Sequence, residues 1–387
     1  MTTPDATGPG PAGPSASTPR PTPLREVHER LGATMTPFAG WLMPLRYRSE
    51  IAEHQAVRGA AGLFDLSHMG EIFLTGPGAG TALDFALVGN LSAVAPGRAR
   101  YTMICAVDGG VLDDLIVYRL GDDEFLVVAN AANTPVVAAA LRERAGGFQA
   151  DVTDRTTDYA LIAIQGPRAL QILAPLADVP LDGLKYYASQ PATVAGCEVL
   201  LARTGYTGED GFELFTSGAD AERVWTSLAG AGAGAGLIPA GLAARDTLRL
   251  EAGMPLYGNE LSAQVTPFDA GLGRVVKFDK PGDFVGRSAL AKRAEAAPER
   301  VLAGLVVASR RVPRHGYTVV WDGDQCGTVT SGAPSPTLGK PIAMAYLNPE
   351  VARLAEADSD AGRLAVDIRG KTEPAHITAL PFYHRPR

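Results

Sequence analysis

The sequence predicts an α+β protein that ends in a small antiparallel β-barrel domain, and three observations predict it. At 387 residues the chain is too long for one compact core, so two or three domains are expected. Up to about residue 285, helical and strand patterns alternate. From Arg300 onward, short strands are separated by Gly and Pro turns, the texture of a small antiparallel barrel or sandwich. The divisions expected are a Pro/Gly-rich tail over 1–23, an α+β region over 24–285 and an all-β domain over 286–387.

The first 23 residues are dense in Pro, Gly, Ser and Thr, bury too little apolar surface to offset ordering entropy, and are expected to be disordered. They lack the basic start and apolar middle of a secretory signal, and their single arginine argues against a mitochondrial presequence. Ser49 can cap a helix running to about Ala61, with Gly62 placed to stop it. A strand is expected at Glu71–Thr75 and a helix at Ala79–Val88. Arg100–Ala106, Val111–Leu120 and Glu124–Asn130 read as an antiparallel meander, turned at Val107–Gly110 and Gly121–Asp123. An alanine-rich helix covers Thr134–Ala145. Strand and helix signals recur at Tyr159–Gln165, Pro167–Leu176 and Glu198–Phe215. Helices follow at Ala219–Gly230, Gly241–Glu251 and Ser288–Ala296, with a flexible run at Ala231–Gly236. The barrel strands are expected at Val301–Ala308, Gly316–Trp321, Gly327–Ser331, Ile342–Leu347, Arg363–Ile368 and Glu373–Ala379.

Composition narrows the function classes. The apolar share of 46% and charged share of 20% are those of an ordinary soluble protein. No run of about 18 apolar residues offers a membrane span. A net charge of −7 argues against general nucleic-acid binding. Cys105, Cys197 and Cys326 are far apart and form no CxxC pair, so a thiolate metal site is not expected. Such sparse cysteine usage fits a reducing cytosol, and a cytoplasmic location is expected.

Three stretches carry acids or arginines where they are expensive. In Gly109–Tyr118, Asp113 and Asp114 stand just inside a strand, where aspartate is depleted. Alternation puts Asp114 with Leu112, Ile116 and Tyr118, and Asp113 with Val111, Leu115 and Val117. Both faces are largely apolar, so at least one carboxylate must find donors or take up a proton. Spacing does not say which aspartate matters, and both could simply finish the Gly-Gly turn. In Arg203–Leu214, three glycines suggest a tight loop where backbone approaches a ligand, without the Gly-Lys-Ser/Thr ending of a phosphate loop. Glu213 then sits inside an apolar strand, serving either a ligand or a core arginine. In Gly241–Glu251, Arg245 and Arg249 share one helix face, with Asp246 able to hold one of them, or the face is simply solvated. His68 has no second His or Cys at ligand spacing, and the cluster Arg310, Arg311, Arg314, His315 reads as a solvated loop or a surface for an acidic partner.

Taken together, these motifs resemble the aminomethyltransferases (T proteins) of the glycine cleavage system, over about Leu24 to Arg385. The stretches that carry the resemblance are Gly40–Leu45, Phe64–Met69, Gly109–Tyr118, Thr204–Glu213, Ala243–Gly253, and Thr330–Gly332 continued by Ser335–Gly339. The resemblance implies a three-domain cloverleaf, two interleaved α+β domains and the barrel, with folate in the central hole. It implies transfer of the methylene carbon from the aminomethyl-lipoyl arm of H protein to tetrahydrofolate. Ammonia, 5,10-methylenetetrahydrofolate and the dihydrolipoyl arm are the products, and no metal, flavin or nicotinamide is used. Loss of the lipoyl thiolate would give an iminium-like carbon that folate N5 attacks. It further implies that Asp114 stands beside the reacting folate nitrogens, orienting folate and stabilising developing positive charge. Tyr101, Tyr118 and Asn130 would belong to the same pocket wall, Glu213 would read the pterin, and Arg245 would serve the folate pocket. Tyr186, Tyr187 and Tyr206 are implied contacts, and Arg385 would complete the site. The pterin N3–H and 2-amino group form a guanidinium-like edge that a buried carboxylate accepts in bidentate fashion.

Two other readings remain. A folate-dependent demethylase would need a flavin domain, for which the chain has neither length nor dinucleotide fingerprint. A non-catalytic folate-binding protein of the iron–sulfur assembly kind would carry a Lys-Gly-Cys-Tyr-x-Gly-Gln-Glu motif, which the cysteines here do not match.

Overall fold

Two sheets packed face to face make the body of the protein. The structure, a computed structural model, describes residues 18–357 and 362–386. The expected tail therefore lies, over 1–17, outside the described residues. The five-stranded sheet runs Arg98–Cys105, Val111–Arg119, Glu124–Ala129, Gly70–Thr75, Asp151–Asp154, all antiparallel. The six-stranded sheet runs Ser189–Val194, Cys197–Ala202, Gly211–Ser217, Tyr159–Gln165, Ala61–Asp65, Leu237–Pro239. Its members flank the other sheet in sequence, since Ala61–Asp65 pairs antiparallel with Tyr159–Gln165 and parallel with Leu237–Pro239. Chain order thus interleaves the two lobes.

Each sheet buries one face under helices and the other against its neighbour. Leu115, Val117, Ile72, Leu74 and Val127 pack with the Ala79–Ala86 and Thr134–Ala145 helices. The opposite face contributes Phe73, Tyr118, Leu126 and Val128 to a core shared with Phe64, Leu161 and Phe215 of the six-stranded sheet. Strict alternation along a strand makes this possible, because successive side chains leave on opposite faces.

The third lobe is the C-terminal β-barrel, closed and antiparallel as the fold class expected. Its order is Val301–Val307, Lys340–Leu347, Asp324–Ser335, Thr318–Trp321, Leu364–Asp367, Thr372–Thr378. Closure leaves no unpaired edge and encloses Leu305, Val307, Val319, Val329, Ala345 and Val366.

Several expected elements need correction. Ser49 caps its helix by accepting from Ala52 N, but the helix spans Glu50–Gly59, and Ala61–Asp65 is a strand. Gly62 does not stop the helix. A Cβ there would lie 2.4 Å from Val57 Cγ2, so glycine allows helix and strand to touch. Every residue of that strand is buried, so it has no alternation to read. Structure also begins before Leu24: Arg20–Pro21 pair with Trp41–Leu42, and Thr22 is buried. The Thr34–Phe38 and Trp41–Arg46 hairpin was not expected, since prolines 37 and 44 demote both strands. The Ser189–Val194 strand and the Pro349–Ala357 helix were also missed, and the Ala231–Gly236 run continues the preceding helix into a 3₁₀ turn. The Pro167–Leu176 helix begins at Ala169 and closes in a 3₁₀ turn over Ala174–Leu176.

One carboxylate ties the barrel to the body. Glu251, fully buried at the end of the Leu242–Glu251 helix, accepts at Oε2 from Arg58 Nε (3.0 Å) and Nη2 (2.9 Å). His54 Nε2 stands 3.1 Å from the same oxygen, and Thr337 Oγ1 donates to it at 2.8 Å. From the barrel, Ser335 Oγ (2.5 Å) and Thr337 N (3.1 Å) donate to Oε1. Burial alone would raise its pKa, but the donors from His54, Ser335 and Thr337 and the His54 charge hold it down at about 2. Its contribution to stability is complete above pH 4.5, the ordinary value, and is lost as pH falls toward 2. Glu251→Gln is expected to cost about 2–4 kcal/mol and to flatten this acid limb. Urea midpoints of both proteins between pH 3 and 7 check this, and parallel curves would refute it.

Candidate active site

Where the two sheets part company with the Leu242–Glu251 helix, a cavity of about 770 Å³ opens. Its wall takes residues from the hairpin tip 36–39, from Leu66, His68 and Met69, from three strands of the first lobe, and from the helix and the 253–257 turn. No lining residue comes from the barrel among the described residues. Of the residues expected at the site, Tyr101, Asp114, Tyr118, Asn130, Tyr187, Tyr206, Glu213 and Arg245 all line this space.

The pleat of Val111–Arg119 resolves the pair of aspartates. Asp114, Ile116 and Tyr118 face the cavity, while Asp113 turns to the other side and is fully buried. Asp114 accepts from Tyr101 OH at Oδ2 (3.0 Å) and from Asn130 Nδ2 at Oδ1 (2.9 Å). Burial raises its pKa, against these donors. Tyr101 is pushed above the ordinary phenol range, first by burial and then by the Asp114 charge, so it stays protonated and donating.

Glu213 is held at a second point on the wall. Its strand is apolar and buried, and its Oε2 accepts from Thr204 Oγ1 and, at 3.3 Å, from Tyr118 OH. Tyr118 OH and Thr204 Oγ1 also meet at 2.8 Å, closing a triangle. No core arginine pairs with Glu213 among the described residues, so the structural alternative is not realised. The carboxylate instead belongs to the cavity.

The preceding loop brings Gly205 and Tyr206 to the cavity wall, and its glycines also admit a close neighbour. Cβ atoms on Gly205 and Gly211 would fall 2.0 and 2.5 Å from the Gln165 side chain. Gln165 holds the loop by donating to Thr204 O (3.0 Å) and accepting from Thr207 Oγ1 (3.1 Å). Tyr206 donates to Pro255 O, and Arg245 lays its guanidinium over the Tyr206 ring at 4.7 Å. No carboxylate lies within ion-pair distance of Arg245 among the described residues, which leaves its charge for whatever occupies the cavity. Asp246 holds Arg249 (2.8 Å), as the helix spacing suggested.

Two expected residues stand outside the lining. Tyr186 is 44% exposed and packs edge-on against Tyr187, with ring centroids 4.9 Å apart. Arg385 pairs at 3.7 Å with Asp210, which Arg203 already grips. Among the basic cluster, Arg311 pairs with Glu373 and His315 contacts Thr330 O, so both serve the barrel.

Three residues at the site were not among those expected there. Arg249 lines the cavity while bonding Glu260 (3.0 Å) and Ser331 Oγ (2.8 Å), and its position four residues from Arg245 was the available signal. Thr204, in the glycine-rich stretch, gave no signal of its own. His68 gave none beyond its type. Its segment is turned inward because Asp65 accepts from Thr22 Oγ1, His28 Nε2 and Ser67 N. Burial first, then the Arg245 charge, drives the His68 pKa down to about 3.

Comparison with known proteins now bears on this geometry. The family model described as the GCVT N-terminal domain matches residues 24–280, and that of the glycine cleavage T-protein C-terminal barrel domain matches 300–384. The chain belongs to the glycine cleavage T-protein family. An aminomethyltransferase of Streptomyces avermitilis is 64% identical over 374 residues, covering 96% of this chain and 99% of the relative. An aminomethyltransferase of Moorella thermoacetica is 47% identical over 366 residues, covering 95% and 98%. The crystal structure of the glycine cleavage system aminomethyltransferase T from Bartonella henselae superposes with a TM-score of 0.87 at 34% identity, covering 95% of this chain and 99% of that one. This T-protein family member is an aminomethyltransferase.

His68 is expected to remain neutral through the physiological range. Its imidazole nitrogens should show no titration by NMR between pH 8 and 4.5, and a midpoint near 6 would contradict its burial.

Proposed function

We propose that the cavity holds tetrahydrofolate and that the chain moves the methylene carbon of an aminomethyl-lipoyl arm, carried by H protein, onto it. The observation that carries the reading is a single cavity in which two carboxylates, half-buried Asp114 and buried Glu213, stand on tyrosine-lined walls without a cation paired to either among the described residues. The fit is chemical. Glu213 supplies an acceptor for a guanidinium-like pterin edge, and the tyrosines supply flat apolar walls with polar tips. Arg245, over Tyr206, offers a cation toward an anionic glutamyl tail. Tetrahydrofolate contributes the nitrogens that take up the one-carbon unit.

The protein's own part is positioning and electrostatics. Tyr101 and Asn130 each occupy one oxygen of Asp114, which fixes the carboxylate plane and leaves its remaining lone pairs to the cavity. A carboxylate so placed stabilises positive charge developing on the transferred carbon as the thiolate departs, and it orients the acceptor nitrogen. Ammonia, 5,10-methylenetetrahydrofolate and the dihydrolipoyl arm account for all atoms of the aminomethyl-lipoyl group and folate. Tyr187, Tyr118 and Tyr206 form the walls, and in this reading Tyr186 and Arg385 serve the entrance. The three free cysteines and the absence of a helix long and apolar enough to cross a membrane, among the described residues, are consistent with work in the cytoplasm.

The direct test mixes the protein with tetrahydrofolate and aminomethyl-loaded H protein and follows ammonia and methylenetetrahydrofolate together. Equal release of both supports the transfer; folate binding without either product would favour a non-catalytic folate protein. Asp114→Asn should lower kcat by roughly 10²–10³-fold with little change in folate affinity. Normal turnover by that variant would rule out its role. Glu213→Gln should instead raise the KM for tetrahydrofolate about 10–100-fold, through loss of a charge-assisted hydrogen bond.

A further inference from the structure

Behind Asp114, on the other face of the same strand, stands a second carboxylate that the transfer reaction does not touch. Asp113 is fully buried and does not line the cavity. It nevertheless takes three N–H groups: Asn130 N at Oδ2 (2.9 Å), Asn130 Nδ2 at Oδ1 (2.8 Å) and Asn133 Nδ2 at Oδ1 (2.6 Å). The Asn130 amide has two hydrogens. One goes to Asp113 Oδ1, and the other reaches Asp114 Oδ1 at 2.9 Å. A primary amide can rotate or flip, exchanging its donor end for its acceptor end. Presenting the oxygen to Asp114 would set a lone pair against a carboxylate. Asp113 forbids that flip from behind, because an ionised carboxylate only accepts.

We propose that Asp113 is a positioning residue for aminomethyl transfer, its carboxylate locking the Asn130 amide so that the second N–H of that amide holds Asp114 in the cavity. The inference deepens the reading of Asp114 given above and rests on it. Asp113 performs this service only when ionised, since a proton on either oxygen would face an N–H donor. Burial, and then the Asp114 charge, push its pKa up to about 7, against the donors from Asn133 and Asn130. The other titratable groups near the pair are phenols. Tyr101 donates to Asp114, and Tyr187, Tyr206 and Tyr257 lie close enough for the carboxylates to raise them further. All four are held above the ordinary phenol value and are uncharged near neutral pH. No Lys, Arg or His side chain lies within ion-pair distance of either aspartate among the described residues. Asp113 is therefore placed to change charge near neutrality, in a cluster where burial raises Asp114 as well. Turnover should fall as pH drops below about 7, as the lock protonates.

Asp113→Asn mimics the protonated lock permanently. In the full-length enzyme, with tetrahydrofolate and aminomethyl-loaded H protein, kcat should fall about 10–100-fold while the KM for tetrahydrofolate stays within about 3-fold. The decisive readout is the pH profile of kcat: the limb near 7 should vanish in the variant, leaving a flat profile from pH 6 to 8. A residue that served folding alone would lower the melting temperature and leave that limb in place, and that result overturns the proposal. Should Asp113→Asn fail to fold, Asn133→Ala keeps the carboxylate and removes one donor. It should move the limb upward by about 0.5–1 pH unit, because a lost hydrogen bond favours the protonated form; an unmoved limb again overturns the proposal. Asp114→Asn measured alongside separates the two claims. Wild-type turnover there sinks the role of Asp114 itself, whereas an inactive Asp114→Asn with an unaffected Asp113→Asn sinks the lock alone.

Discussion

A carboxylate that stays ionised in the interior needs donors around it, and Glu251 turns that requirement into architecture. Its two oxygens gather Arg58 and His54 from one helix and Ser335 and Thr337 from the barrel. Removing any of these from water is unfavourable unless all arrive together, so the lobes meet in one geometry. The helix that ends in Glu251 presents Arg245 and Arg249 to the cavity from its preceding positions. Arg249 repeats the device on the next face, joining Glu260 and Ser331 through one guanidinium. Among the described residues the barrel contributes no lining residue, yet it clamps the helix that does.

Within the cavity, the polar groups are arranged in supported sets. Tyr118 and Thr204 brace Glu213; Tyr101 and Asn130 brace Asp114. Each carboxylate is thus desolvated enough to act strongly on a ligand but satisfied enough to remain in the fold. Among the described residues neither is neutralised by a cation, which suits a transferase whose ligand brings donors and developing positive charge. Burial, and then the Arg245 charge, keep His68 on the cavity wall neutral.

The meander, the Thr134–Ala145 helix and most barrel strands were legible, since their alternation or turn chemistry is local. Strand Ala61–Asp65 was not, because burial on every residue erases the period. Gly62 and Gly205 looked like punctuation or a ligand cradle. Both pack closely, Gly62 against Val57 and Gly205 against Gln165, and Gly205 also lines the cavity. At the site, the acids announced themselves by standing in apolar strands. His68 and Thr204 did not, because nothing in their neighbourhoods is locally costly.

The sequence by itself determined that the chain carries acids and arginines at positions where only a ligand or a buried network could stabilise them, and it resembled one family along its length. It also placed Asp113 and Asp114 on opposite faces of one strand. The resemblance pointed to the Asp114 face, but the periodicity itself left open which face meets the cavity and which the core, and the tertiary structure decides it. Period-two alternation separates two faces without naming them; only the packing of helices on one side of the sheet and a second sheet on the other does so.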